Sequence, residues 1–247
     1  MRVLSINHQR DAGPGVFIDA IAAAGAELDH WFRAEADSPP ADPASYDAVM
    51  SFGGSMHVDQ EAEHRWLPEE RELMRDLLRR GTPVLGVCLG AQLLSEAAGG
   101  DARPARRPEI GWFEVEVTEA GAEDALIGPL APRFTGFEWH SYECGVPADA
   151  TVLARSAVCA QAFRVGECAW GIQFHAEVSV ADVEAWIEEY RTEGDVARYG
   201  IDPDALREET MPRMAAWNDL GHALCERFLA VAGAPTRPPS ATSSSSR

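Results

Sequence analysis

The sequence predicts an α/β fold: a mostly parallel central sheet flanked by helices, with antiparallel strands added to the same sheet after residue 100. Three observations lead there. Short apolar runs alternate with helix-period segments through the first hundred residues; the run 82–87 is apolar nearly throughout, as a strand covered on both faces is; and strand patterns dominate from 112 to 174. In sheets of this kind ligand chemistry is expected at the carboxyl ends of the strands.

Taken in order, residues 2–7 read as a strand and the Ala-rich amphipathic stretch 15–24 as a helix. Runs 27–32 and 46–52 read as strands, separated by the Pro/Ala/Asp loop 34–45, whose prolines forbid regular pairing. Residues 67–80 carry Leu67, Leu73, Met74, Leu77 and Leu78 near helical spacing, and Gly81 with Pro83 stops that helix before strand 82–87. A helix-forming run covers 91–98. Strands are then predicted over 112–118, 133–139, 151–156, 160–165 and 169–174. Helices are predicted over 180–191 and 205–231, the second interrupted at Pro212. One domain over 1–233 is expected, with 192–233 a helical extension that covers a surface as a lid or a subunit contact. The Pro/Ser/Thr-rich tail 234–247 is expected to be disordered.

Composition narrows the chemistry. The chain has 247 residues, 21 basic against 40 acidic, and a formal charge of −19. Every basic residue is arginine, which excludes Schiff-base lysine catalysis, pyridoxal phosphate anchoring and the P-loop. A strongly acidic surface repels phosphate backbones and anionic lipid headgroups, so neither nucleic acid nor a membrane is an expected partner. No apolar run approaches the ~18 residues of a membrane span. Five cysteines without C-x-x-C spacing, and no signal-peptide pattern at residues 1–5, predict a reduced, cytoplasmic protein. No cofactor and no metal set is read; His57, Asp59 and His64 fit no common helix face and read as a solvated loop.

The strongest local signal is Gly86-Val87-Cys88-Leu89-Gly90, between a predicted strand and a predicted helix. This is the thiol form of a nucleophile elbow: a tight turn projects the side chain above the sheet edge, and flanking glycines let neighbouring chain approach. A helix N-terminus also favours thiolate over thiol. A partner base is offered by Gln173-Phe174-His175-Ala176-Glu177 at the end of an apolar strand, where residues i and i+2 share one face, so Glu177 can fix the imidazole tautomer of His175. Ser51-Phe52-Gly53-Gly54 offers a third piece, a Gly-Gly turn after another strand. Backbone N–H groups of Gly54 and Leu89 would suit a tetrahedral oxyanion. Each string alone has a bland reading as core cysteine, solvated His or ordinary turn; together they fall at three strand ends in an order compatible with one site.

These three strings, extended to Gly86-Val87-Cys88-Leu89-Gly90-Ala91-Gln92, resemble the class I glutamine amidotransferase family over about residues 1–177, including members similar to the amidotransferase domain of GMP synthase. The resemblance implies a flavodoxin-like sheet and a Cys88–His175–Glu177 triad that hydrolyses the glutamine side-chain amide through a γ-glutamyl thioester. It further implies an oxyanion hole at Gly54 and Leu89, and substrate contacts from Gly53, Gln92 and the segment Trp139-His140-Ser141. Two departures stand out: Ala176 replaces the proline usual between His and Glu, and Tyr142-Glu143 follows Ser141 where an acidic residue is common.

Three functions remain open from sequence. The first is a glutaminase whose ammonia goes to a separate synthase subunit; the second is a γ-glutamyl hydrolase or peptidase cutting γ-glutamyl conjugates; the third is a non-catalytic regulatory module. Self-association is left open. Arg103, Arg106 and Arg107 read as solvent-facing, His222 and Cys225 as a packing stripe, and Cys144, Cys159 and Cys168 as structural.

Overall fold

A computed structural model describes residues 1–35, 38–192 and 194–234. The strands are β1 (Arg2–Asn7), β2 (Glu27–Phe32), β3 (Ala48–Ser51), β4 (Val84–Val87), β5 (Asp101–Val117), β6 (Arg133–Gly145), β7 (Thr151–Arg155), β8 (Ala160–Val165) and β9 (Ala169–Ile172). The helices are α1 (Phe17–Ala23), α2 (Trp66–Arg80), α3 (Leu89–Ala97), α4 (Glu119–Ala122), α5 (Val180–Glu189), α6 (Asp195–Tyr199), α7 (Pro203–Thr210) and α8 (Met214–Ala232). All the strands join one sheet in the order β2-β1-β3-β4-β9-β8-β7-β5-β6. The stretch from β2 to β9 is parallel, and every pairing beyond β9 is antiparallel.

Adjacent residues of one strand point to opposite faces, and the core divides accordingly. Val3, Met50 and Leu85 pack with Phe17 and Ile21 of α1 and Trp217 and Phe228 of α8. Their neighbours Leu4, Val49 and Val84 pack with Leu67, Met74 and Leu77 of α2 and Leu93 of α3. Burying each such side chain contributes about 1.5–3 kcal/mol. The crossover from β1 runs out to β2, whereas β3 and β4 lie on its other side. The strand order therefore reverses between β1 and β3, and a crevice opens at their carboxyl ends.

The alternation of the first hundred residues is as expected; three later features differ. β5 begins at Asp101, eleven residues before the predicted strand, because Pro104, Pro108 and the arginines mask it in sequence. Pairing to β6 carries it through a register shift between Pro104 and Glu109. β6 continues to Gly145, so Trp139, His140 and Ser141 lie within a strand and not in a turn. The long C-terminal helix starts at Pro203, capped by the Asp202 carboxylate on the Asp204 and Ala205 N–H groups. It breaks before Pro212, as expected, and α8 resumes at Met214. Of the predicted tail, residues 235–247 lie outside the described residues.

Candidate active site

Cys88 occupies the turn between β4 and α3 with φ 52° and ψ −107°, the one non-glycine positive φ among the described residues. Such a backbone costs on the order of 1–3 kcal/mol and persists only where the surroundings hold it. Here the Cys88 N–H donates to Ile172 O at 2.8 Å, and Cys88 O accepts from Gln92 N at 3.0 Å. The flanking glycines are required by contact: a Cβ on Gly90 would sit 2.1 Å from Ser51 O, and one on Gly86 would sit 2.6 Å from Gly90 O. The strand-turn-helix thus presents Cys88, 6 % exposed, to a cavity of about 410 Å³.

His175 and Glu177 lie past the end of β9 and not on it, so the same-face spacing of a strand does not explain their pairing. The contact forms nonetheless, with His175 Nδ1 2.7 Å from Glu177 Oε1 and both side chains buried. The loop is held from two sides. His175 N donates to Phe137 O at 2.8 Å. From α8, Trp217 Nε1 donates to His175 O at 2.8 Å and Asn218 Nδ2 to Val178 O at 2.7 Å, while Gly221 packs so closely that a Cβ there would lie 2.1 Å from Ala176 O. The backbone restraint that a proline at 176 would give is supplied by this helix.

The Cys88 side chain and the His175 imidazole line the same cavity, close enough for the sulfur to bear on the charge of the ring. Burial disfavours the charged ring, but the Glu177 carboxylate and Cys88 outweigh it and hold His175 well above its ordinary range. Cys88 Sγ also lies 3.9 Å from Trp139 O. Gly53 sits beneath this pair, its missing Cβ 3.0 Å from His175 Cε1 and 3.6 Å from Cys88 Cβ. Gly54 and Leu89 line the cavity beside Cys88. Leu89 is the first residue of α3, whose N–H has no partner within the helix. Cys88, His175, Gly54 and Leu89 therefore line one cavity at one end of the sheet, with Glu177 on the imidazole; a thiol, an imidazole, a carboxylate and main-chain amides are the kinds of group that acyl transfer from an amide uses.

The remaining sequence-predicted contacts also gather here. Gln92, Trp139, His140 and Ser141 line the cavity. Gln92 Nε2 is 3.4 Å from both Tyr142 O and Gln173 Oε1. Tyr142, at the position where an acidic residue is usual, stacks on His57 with ring centroids 4.0 Å apart and donates to Asp59 at 2.8 Å. His57 is thus a wall residue and not part of a solvated loop. Sequence reasoning also missed the far wall, formed by Trp186, Glu189 and Tyr190 around α5 and by Asp195 and Arg198 of α6. Trp186 meets the His175 ring edge-on at 4.9 Å. The apolar periodicity of 180–191 carried the signal for α5; the short α6 has none.

The His140 ring also belongs to a buried cluster. Its Nδ1 donates to Tyr142 O at 2.8 Å, and its Nε2 lies 3.3 Å from Glu109 Oε2 and 3.5 Å from Glu138 Oε2. Glu109 and His140 are direct cross-strand partners, and Glu138 shares their face. Glu109, His140 and Cys159 place ligand-type atoms within 4.8 Å of one another. Glu109 Oε2 already accepts from Ser156 Oγ and Gln161 Nε2, each at 2.9 Å, whereas His140 Nε2 and both Glu138 oxygens make no hydrogen bond, so charge pairing ties the ring to the two carboxylates. Burial pushes the Glu138 carboxyl up to about 7 against the pull of His140. Burial lowers His140, but Glu109 and Glu138 overcome that and raise it to about 10.

Both shifts make the folded chain bind more protons than the unfolded one. Glu138 contributes a falling slope between 4.5 and about 7, and His140 a stabilisation present below 6.5 and lost as pH rises through about 10. Denaturant unfolding should therefore show stability falling from pH 7 to pH 10, by a few kcal/mol at most, on the order that linkage gives for such shifts. The paired substitution His140→Gln with Glu138→Gln should flatten this decline; an unchanged slope contradicts the assignment.

The other cysteines are free thiols, and burial raises Cys144, Cys159, Cys168 and Cys225. Cys225 lies in the core near α1, its Sγ 3.8 Å from Phe17 O. Arg103 pairs with Asp101 and Glu143, and Arg106 donates to Ala157 O, all on the exposed part of β5. Among the described residues no helix is long and apolar enough to cross a membrane.

Residues 17–187 match the family model for glutamine amidotransferase class-I. A subunit of the glutamine-hydrolyzing GMP synthase of Ignicoccus hospitalis is 33% identical over 147 residues, 57% of this chain and 71% of that one. The γ-glutamyl-L-1-hydroxyisopropylamide hydrolase of a Pseudomonas species is 30% identical over 167 residues, 61% of this chain and 56% of that one. The crystal structure of a glutamine amidotransferase from Thermotoga maritima superimposes with a TM-score of 0.84 at 28% identity, covering 93% of this chain and 98% of that one.

Proposed function

The chain belongs to the class I glutamine amidotransferase family, and from that premise we propose that it is a cysteine-dependent glutaminase, hydrolysing the side-chain amide of glutamine to glutamate and ammonia. The observation that carries this reading is Cys88 on a strained elbow, sharing one cavity with a His175 that Glu177 holds at 2.7 Å.

In this mechanism the Cys88 thiol gives its proton to His175 as sulfur attacks the γ-carbonyl carbon. The C=O electron pair moves to oxygen, which meets the N–H groups of Gly54 and Leu89. Collapse breaks the C–N bond, the nitrogen takes the proton from His175, and ammonia leaves a γ-glutamyl thioester. Water then gives a proton to His175 and attacks the thioester carbon; the C–S bond breaks, sulfur recovers the proton, and glutamate departs. Glu177 keeps the imidazole in the tautomer whose other nitrogen faces sulfur. Gln92, Ser141 and the backbone around Trp139 hold the glutamyl part. Similarity to a GMP synthase subunit supports delivery of the ammonia to a separate synthase.

A second reading is favoured by Trp186 and Tyr190, which line the same cavity as His175 with Trp186 edge-on to its ring. Ammonia needs no such wall, whereas the amine of a γ-glutamyl conjugate could use it, and one relative is named as a γ-glutamyl amide hydrolase. Measuring kcat/KM for free glutamine against γ-glutamyl alkylamides and γ-glutamyl peptides separates the two. The glutaminase reading expects glutamine to be turned over at least as well as any conjugate, with one ammonia per glutamate. Conjugates cleaved far faster than glutamine would replace it with the second.

A further inference from the structure

One buried ion cluster lies outside the mechanism above. His8 follows β1, its side chain fully buried and stacked on Trp66 with ring centroids 4.8 Å apart and an interplanar angle of 7°. Its Nδ1 lies 3.0 Å from Gly53 O, and its Nε2 lies 3.1 Å from both carboxylate oxygens of Glu70. Glu70, on α2, is also fully buried. It accepts from Ser51 Oγ at 2.8 Å and faces Arg33 Nε at 3.6 Å. Burial pushes the Glu70 carboxyl up, but His8, Ser51 and Arg33 together outweigh burial and hold it below the ordinary carboxylate range.

We propose that His8, oriented by Glu70, is a positioning residue for the oxyanion site: it fixes and polarises the peptide joining Gly53 to Gly54. This rests on the proposed thioester mechanism. The Gly53 carbonyl can only accept, so the hydrogen of that contact belongs to His8 Nδ1. Gly53 C=O and Gly54 N–H are the two ends of one planar trans peptide and point in opposite directions. Anchoring the oxygen on His8 therefore turns the Gly54 N–H toward the opposite side, where Gly54, Cys88 and Leu89 line the cavity. Withdrawing electron density at the carbonyl also strengthens the N–H as a donor, as happens along any hydrogen-bond chain in a low dielectric. The peptide has little room to turn: a Cβ on Gly54 would lie 3.0 Å from His8 Cβ and 3.5 Å from Leu89 Cδ2. A fully buried carboxylate and imidazole are costly to a core that apolar side chains could fill, which suits a role beyond packing.

The test compares the parent with His8→Asn, with the double variant His8→Leu/Glu70→Met, and with Cys88→Ala as control. The double variant leaves no lone buried carboxylate, and Arg33 keeps Glu69 at 3.0 Å. Thermal melting establishes that each variant folds. The double variant is expected to lose roughly 10- to 100-fold in kcat, the lower part of the range for oxyanion donors. Its KM and its rate of Cys88 alkylation by iodoacetamide should stay near parental. His8→Asn, which keeps a donor opposite Gly53 O, should recover most of that loss. In ¹⁵N-labelled protein the Gly54 amide proton should move upfield in the double variant and less so in His8→Asn.

A folded double variant with parental kcat and an unmoved Gly54 resonance overturns the proposal, as does a kcat loss matched by an equal loss of alkylation. If instead Cys88→Ala hydrolyses substrate as the parent does, the thioester reading fails. The Gly54 resonance then still decides whether His8 governs that peptide.

Discussion

Cys88→Ala is expected to lower hydrolysis of the γ-amide by roughly 10⁴-fold or more, the scale on which loss of a nucleophile abolishes covalent catalysis. Folding should be nearly untouched. The side chain is small and opens on a cavity, so its removal leaves no large void, and the hydrogen bonds that hold the turn are made by backbone: Cys88 N to Ile172 O, Gly90 N to Phe52 O and Gln92 N to Cys88 O. Alanine tolerates the positive φ no better than cysteine, so the strain stays with the fold. A stopped assay of glutamate release, with melting curves alongside, checks both halves. Residual turnover within tenfold of the parent would remove the thioester from the mechanism.

His175→Ala should cost roughly 100-fold or more in the first-order rate of thioester formation, the usual contribution of a positioned general base. Glu177→Gln should cost less, because the amide oxygen can still accept from Nδ1 and keep the tautomer. The order of the two losses carries information. His175 takes and returns every proton in the scheme, whereas Glu177 only orients and charges it. Pre-steady-state measurement of the acyl-enzyme burst reads this directly. A His175 variant with near-parental burst rate, or a Glu177 variant worse than the His175 variant, would dissolve the triad.

The parts of this site carried by short strings are legible in sequence. Gly86 to Gly90 announces a turn that tolerates no Cβ at its flanks, and the clashes at Ser51 O and Gly90 O show why. His175 and Glu177 are legible as a pair, though the reason lies in a pinned loop and not in strand alternation. Less legible are groups brought in by long-range packing. Glu70 stands in the charged run Glu69-Glu70-Arg71-Glu72 and looks solvated. The signal was its spacing, since Leu67, Glu70, Met74 and Leu77 form the buried stripe of α2. His8 gives no local sign, because its meaning depends on Gly53, forty-five residues away.

The fold divides in the same way. Alternation of apolar runs and helices reveals the parallel half, where β1, β3, β4 and β9 are buried on both faces and only the edge strand β2 is partly exposed. The first part of β5 stayed hidden because its prolines and arginines are tolerated only through its pairing with β6. α6 is too short for a periodic signal, yet it brings Asp195 and Arg198 to the cavity wall.

The central claim is that Cys88 attacks a γ-glutamyl carbonyl. Incubation with an electrophilic glutamine analogue, followed by peptide mapping, tests it most directly. One label per chain is expected on Cys88, with glutamine slowing its appearance and His175→Ala slowing it further. Folded protein that takes the label elsewhere, or takes it on Cys88 at a rate glutamine does not change, would contradict the account.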